Sequence, residues 1–183
     1  YCENIGIEFG CTAFGVAELT MLRPLLKRVK IPSGLMTYEP LLKAAANTGL
    51  PILLSTGMST RQEVLDALVP FDEATTLQCT SSYPCRLEDV NLLAMTRLPK
   101  PFGLSDHTTS ITVPIAAAAL GASVIEKHFT LDREAVGPDH KASITPREFK
   151  AMQIAIIEVE AAMGSTEKRV LPCEEVLRKA WRK

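Results

Sequence analysis

The chain has 183 residues, 46% of them hydrophobic and 22% charged, with 20 Lys and Arg against 21 Asp and Glu for a net charge of -1. That balance excludes a disordered chain, which combines low hydrophobicity with high net charge. It also argues against nucleic-acid binding, which draws on clustered excess Lys and Arg, because the basic cluster that stands out is the short tail 178–183. A membrane-spanning helix takes about 18 or more consecutive apolar residues, and the best stretch, 113–122, is too short and contains Pro114.

Apolar or β-branched runs recur at a nearly constant interval, at residues 5–9, 29–31, 51–54, 75–79, 101–104 and 122–125. The interval is the length of one strand, one helix and two short loops. Helical stripes lie between them: Leu19, Leu22, Leu25 and Leu26; Leu41, Leu42 and Ala45; Val64, Leu65 and Leu68; and a less regular set of Val90, Leu93 and Met95. The last helix is the clearest. Thr145-Pro146-Arg147-Glu148 supplies a capping box with Pro in the first turn, Phe149, Met152, Ile156, Val159 and Met163 repeat at helical steps, and Gly164 ends the run.

Continuous apolar character in short strands separated by helices predicts a parallel sheet covered on both faces. Six such units fit either a doubly wound sheet or most of a barrel, and the strand ends discriminate. Nearly every run finishes in polar or glycine-rich residues: Cys11-Thr12, Pro32-Ser33-Gly34, Ser55-Thr56-Gly57, Thr80-Ser81-Ser82-Tyr83, Ser105-Asp106-His107-Thr108 and Glu126-Lys127-His128. A barrel collects chemistry from many strand ends at one face, whereas a doubly wound sheet concentrates it at one switch point. The expected fold is therefore an α/β TIM (β/α)8 barrel, incomplete, with six of eight strand-helix units over residues 1–175 and a tail at 176–183.

The chemistry-bearing residues fall at those ends. His107 and His128 end successive strands, close enough for both imidazoles to meet one divalent ion, or else to be satisfied as rim hydrogen-bonders; His140 is the third histidine. Lys30 sits in an apolar run, a costly place unless it meets an anion or snorkels past a helix. Thr12, Ser33, Ser55, Ser81 and Ser105 add neutral donors on the same face, together suited to a phosphate or carboxylate, although each alone also reads as a turn or cap residue. Asp139 lies in a turn-prone loop, as a carboxylate for a substrate hydroxyl or a cap. Strand alternation puts Glu126 on the face of His128 and turns Lys127 toward the helices. Cys79 and Cys85 show no case for a nucleophile, and the five cysteines, odd in number with no C-x-x-C pair, fit neither a disulfide framework nor structural zinc, pointing to a reducing cytoplasm.

At this point the strings become specific. Lys30-Ile31-Pro32-Ser33-Gly34, Leu54-Ser55-Thr56-Gly57-Met58-Ser59, Cys79-Thr80-Ser81-Ser82-Tyr83-Pro84 and Glu88-Asp89-Val90-Asn91-Leu92 are followed by Gly103-Leu104-Ser105-Asp106-His107-Thr108. Then come Val124-Ile125-Glu126-Lys127-His128-Phe129-Thr130-Leu131-Asp132 and Gly137-Pro138-Asp139-His140-Lys141-Ala142-Ser143. This series resembles the N-acetylneuraminate (sialic acid) synthase family in its bacterial form.

The resemblance implies a metal-assisted condensation of phosphoenolpyruvate with N-acetylmannosamine or a related N-acetylated hexosamine, giving a nine-carbon sialic acid and phosphate. It implies Mn2+ or Mg2+ on His107 and His128. Phosphoenolpyruvate would lie among Thr12, Lys30, Ser33, Ser55, Ser81 and Ser105, with Tyr83, Glu126 and Asp139 among the substrate-side residues. His107, His128, Asp139 and Lys30 are the residues it implies for catalysis, and the full-length protein would be a cytoplasmic homodimer. The family's first two barrel strands precede the segment that opens here, and a C-terminal antifreeze-like domain would follow the tail. The chain is therefore expected to be an internal piece of the enzyme, the alternative being a non-catalytic remnant that binds metal or phosphate without turnover.

Overall fold

The computed structural model describes residues 1–182. Short runs of alternating apolar side chains build five parallel strands, β1 (Val29–Ile31), β2 (Ile52–Ser55), β3 (Ala74–Cys79), β4 (Phe102–Asp106) and β5 (Ile125–Lys127). They pair in sequence order, each hydrogen-bonded to the next. The register runs Lys30 to Leu53, Ser55 to Leu77, Cys79 to Ser105 and Ser105 to Glu126. Parallel neighbours need crossovers, and the chain supplies helices α2 (Glu39–Ala46), α3 (Arg61–Leu68) and α4 (Thr112–Ala119) between strands. Helix α1 (Val16–Leu22) precedes the sheet; α5 (Pro146–Met163) and α6 (Glu175–Trp181) follow it.

Because side chains alternate across a strand, the register separates two faces. Val29, Ile31, Ile52 and Leu54 project from one face and pack with Leu19, Leu41, Leu42 and Val64 of the helices. Phe102 and Leu104 continue that face against Met95 and Ala117. Leu54 is fully buried, so truncating it to Ala leaves a cavity costing about 2–5 kcal/mol. Two of the helices start as their sequences require: Thr60 and Thr145 each close a capping box, with Glu63 and Glu148 returning to the cap backbone.

Four expectations change. The run at residues 5–9 is not a strand. A 3-10 turn spans Glu3–Ile5 and is closed by Gly6 at φ 71, residues 7–9 are exposed, and among the described residues the bridge nearest this run, Thr12 to Lys30, lies beyond its end. A strand needs a partner along its length, and this run has none among the described residues. The connection between β3 and β4 is not an α-helix but two 3-10 turns, Leu87–Asp89 and Leu92–Arg97, separated by Asn91 in a left-handed conformation; Met95 is buried while Leu93 is 71% exposed. The helix-packed core lies on one face of the sheet rather than both, and the other face carries a polar row. The stretch read as a tail forms α6 through Trp181, and Lys183 lies outside the described residues. All five cysteines are free, and among the described residues no helix is long and apolar enough to cross a membrane.

Candidate active site

The face opposite the helices takes one polar side chain from the C-terminal half of each strand: Lys30 from β1, Ser55 from β2, Cys79 from β3, Ser105 from β4 and Glu126 from β5. All five line a cavity of about 770 Å³, together with Thr12, Ser33, Ser81, Tyr83, His107 and His128. Parallel pairing makes this inevitable once the register is set, since equivalent positions on neighbouring strands point the same way.

Two hydrogen bonds and an ion pair link four members of the row. The Lys30 ammonium donates to Ser55 Oγ at 2.9 Å and lies 3.5 Å from Glu126 Oε2. Ser105 Oγ donates to Glu126 Oε1 at 2.6 Å. Lys30 is largely buried, with 14% of its side chain exposed, so its charge is aimed into the cavity rather than snorkelling past a helix. At the floor, the Gly57 amide donates to Ser33 Oγ at 3.0 Å, and Ser33 Oγ donates to Cys79 Sγ at 3.5 Å. A methyl group on Gly57 would come within 2.4 Å of Ser81 Oγ and 2.9 Å of Ser33 Oγ. Backbone and two hydroxyls close on one small space there, so any side chain at 57 would push the hydroxyls aside, and those hydroxyls suit phosphate or carboxylate oxygens.

His107 and His128 follow β4 and β5 on the cavity face, with ring centroids 5.2 Å apart. Tyr83 stacks against His107 at 4.1 Å. Thr80's carbonyl takes a 2.8 Å hydrogen bond from His107 Nδ1; a carbonyl only accepts, so Nδ1 carries the proton and the Nε2 lone pair of the neutral ring is free. Burial opposes charge on His107, but hydrogen bonds to Cys79 and the Thr80 carbonyl outweigh it and raise its pKa. Burial, reinforced by His107, pushes His128 down. Burial likewise works against ionisation of the Cys79 thiol, and its hydrogen bonds with His107 and Ser33 overcome it to bring the pKa below the ordinary thiol value.

Beside the imidazoles, Lys127 and Asp106 form an ion pair at 2.6 Å with side chains 3% and 1% exposed; they stand in register one position past the Ser105–Glu126 row, and both border the cavity. Asp139 Oδ2 reaches to 3.9 Å from His128 Nδ1, placing the loop carboxylate at the edge of the site. His140 does not join the other two histidines: its Nδ1 pairs with Thr130 Oγ1 at 2.8 Å.

Every candidate residue named from the sequence, Thr12, Lys30, Ser33, Ser55, Ser81, Tyr83, Ser105, His107, Glu126 and His128, lines the cavity, with Asp139 beside His128. Sequence reasoning passed over Cys79 and Gly57. Strand alternation had the signal for Cys79, which stands two positions after Leu77 and in register with Ser105. Phe14, Leu35 and Met58 also line the cavity and carried no chemical signal. The two imidazoles fit a divalent cation that takes further ligands from water or substrate oxygens. Among the described residues, no group of three or more His, Cys, Asp or Glu side chains forms a closed metal cage.

A curled parallel sheet with helices on one face, and a lysine, hydroxyls and two imidazoles gathered at its strand ends, defines a barrel-type α/β domain with a polar cavity at that face. The chain belongs to the NeuB family, whose model matches residues 1–168. It is 44% identical over 181 residues to the N,N'-diacetyllegionaminic acid synthase of Legionella pneumophila, covering 91% of this chain and 51% of that protein. It is 38% identical over 188 residues to human N-acetylneuraminate-9-phosphate synthase, covering 95% of this chain and 51% of that protein. The crystal structure of the N-acetylneuraminic acid (sialic acid) synthetase of Leptospira borgpetersenii, in complex with citrate, superposes with a TM-score of 0.90 at 32% identity over 99% of this chain and 68% of that one. The chain thus spans about half the length of the curated relatives it matches.

Proposed function

We propose that this chain is the phosphoenolpyruvate-binding part of a sialic acid synthase, an incomplete TIM barrel in the family's arrangement, which condenses phosphoenolpyruvate with an N-acetylated hexosamine such as N-acetylmannosamine. The observation that carries the reading is the row of one polar residue per strand from Lys30 to Glu126, beside which Ser33 and Ser81 line the cavity and converge over Gly57. The overall reaction joins C3 of phosphoenolpyruvate to the aldehyde carbon of the open-chain sugar; water adds at C2 and phosphate leaves.

Lys30 meets the phosphate charge, and the hydroxyls of Ser33, Ser55 and Ser81 direct its oxygens in a site partly closed to water, the Gly57 amide holding Ser33 in place. Ser105 holds Glu126 in place by its 2.6 Å bond. His107 and His128 would hold Mn2+ or Mg2+, which when bound supplies Lewis-acid polarisation of the aldehyde. Tyr83 and Asp139 stand at the sugar side, Asp139 offering its carboxylate to hydroxyls of the acceptor. The names of the relatives specify different sugars, and the Gly137 to Ser143 loop supports a neuraminate- or legionaminate-type acceptor.

Calorimetric titration of phosphoenolpyruvate into the folded chain, with and without Mn2+, tests this. Saturable binding that Lys30→Met weakens is the expected result; no binding by a folded chain overturns the site assignment. Binding without condensation of N-acetylmannosamine in the presence of Mn2+ identifies a remnant that has kept the site and lost turnover.

A further inference from the structure

The Asp106–Lys127 pair stands outside the row of one polar residue per strand, although both residues border the cavity, and it is the most completely buried ion pair among the described residues. Its bonding is also complete. The Lys127 ammonium donates to Asp106 Oδ2 at 2.6 Å, to the Thr108 carbonyl, and to Thr108 Oγ1 at 3.4 Å, which uses all three of its protons. Asp106 in turn accepts the Thr108 amide at 2.9 Å and the Thr108 hydroxyl at 3.1 Å. The same hydroxyl accepts the Ser110 amide at 3.2 Å.

What this network clasps is the chain on either side of one imidazole. Asp106 precedes His107 and Thr108 follows it, and both are bonded to Lys127, the residue immediately before His128. The two strands are in register at this point, Asp106 opposite Lys127, so the pair ties together the two places where the imidazole-bearing residues leave the sheet. A buried ion pair adds little stability over an apolar pair of the same shape, and its best attested use is to specify one geometry.

We propose that Asp106 and Lys127, through Thr108, are positioning residues that fix the spacing and orientation of His107 and His128. Both border the cavity, but their charged groups are spent on each other and on Thr108, so they act through the two imidazoles. The proposal rests on reading the two histidines as the working imidazoles of the site.

The test uses the chain with 13C-labelled histidine rings, which gives three ring signals. His140, held by Thr130, is the internal reference. Asp106→Asn with Lys127→Met removes both charges together, leaving no orphan charge, and keeps an acceptor for the Thr108 amide. The expected result is a folded protein in which the His107 and His128 signals move, the His140 signal stays, and Mn2+ affinity falls at least ten-fold. Lys127→Arg retains the charge pairing and keeps both signals close to their parental positions.

Parental His107 and His128 signals in the folded double variant overturn the proposal. Should that variant fail to fold, Thr108→Val removes an arm of the same network with no charge involved; it moves the His107 signal in a folded protein, and an unmoved signal is equally fatal. A parent chain that binds no Mn2+ while the ring signals still respond removes the metal reading and leaves the positioning role standing.

Discussion

Gly57→Ala probes the floor of the cavity at one atom. The added methyl would stand 2.4 Å from Ser81 Oγ, 2.9 Å from Ser33 Oγ and 3.2 Å from Cys79 Sγ. The atoms it meets most closely are hydroxyls that can rotate, so the fold absorbs the change at the low end of the over-packing range, about 1 kcal/mol, or a fall in Tm of about 2–4 °C for a chain of this size. The ligand cannot absorb it. Rotating both hydroxyls away removes two neutral donors from the anion, each worth about 0.5–1.5 kcal/mol. Their combined loss of about 1–3 kcal/mol weakens phosphoenolpyruvate binding about 5- to 150-fold. Calorimetry on parent and variant at one salt concentration, beside thermal melts, measures both quantities. A variant that melts within a few degrees of the parent and binds within two-fold of it refutes the argument that these hydroxyls form the anion cradle.

Removing the charge with Lys30→Met costs a charge-assisted contact of about 1.5–3 kcal/mol and lowers phosphoenolpyruvate affinity at least ten-fold; the same titration checks it. Glu126→Gln works in the opposite direction, because the carboxylate 3.5 Å from Lys30 competes for that ammonium; inorganic phosphate is expected to bind up to about five-fold tighter, the worth of a partly exposed ion pair, and weaker binding would show that the carboxylate helps hold the anion. Ring 13C shifts followed against pH should show His107 titrating above the ordinary imidazole value and His128 below it, so that in the interval between them His107 is charged and His128 neutral; the reverse order contradicts the hydrogen-bond assignment at Thr80. Glu148 is held below its ordinary value of 4.5 by the Thr145 amide and hydroxyl and by Arg133. Its contribution is therefore complete above that value and lost as pH falls through the lowered one. With a third of the side chain exposed, Glu148→Gln lowers stability at pH 7 by about 0.5–1 kcal/mol, and denaturant melts of parent and variant converge in acid.

Much of this arrangement was legible because parallel pairing leaves few choices. Once strands ending near Lys30, Ser55, Cys79, Ser105 and Glu126 are recognised, alternation alone places those residues on one face, and the adjacent positions, Ile31, Leu54 and Leu104, on the helix side. The capping box at Thr145 was readable for a similar reason, since it is a local bonding pattern. The segment at residues 5–9 was not, because β-branched composition records a willingness to pair and says nothing of whether a neighbour is there. Cys79 was missed because its chemistry comes from His107, 28 positions away. Gly57 carried no signal for its role: its importance is a distance between three side chains, and a glycine after a strand reads as a turn. The Asp106–Lys127 pair was half visible, with Lys127 set one position off the row but its partner unnamed.

The loop that carries Asp139 is fastened at both shoulders. Thr130 holds His140. Beyond it, Arg133 reaches back to the Ser143 carbonyl and to Glu148, the residue that caps α5. None of those anchors involves residues 134–138, which are largely exposed. The segment is therefore tolerant only in part: residues 134–136 can be exchanged without loosening the mounting, whereas Gly137, at φ 150 and with His140 Nε2 3.1 Å from where a Cβ would stand, is tied to the anchor itself.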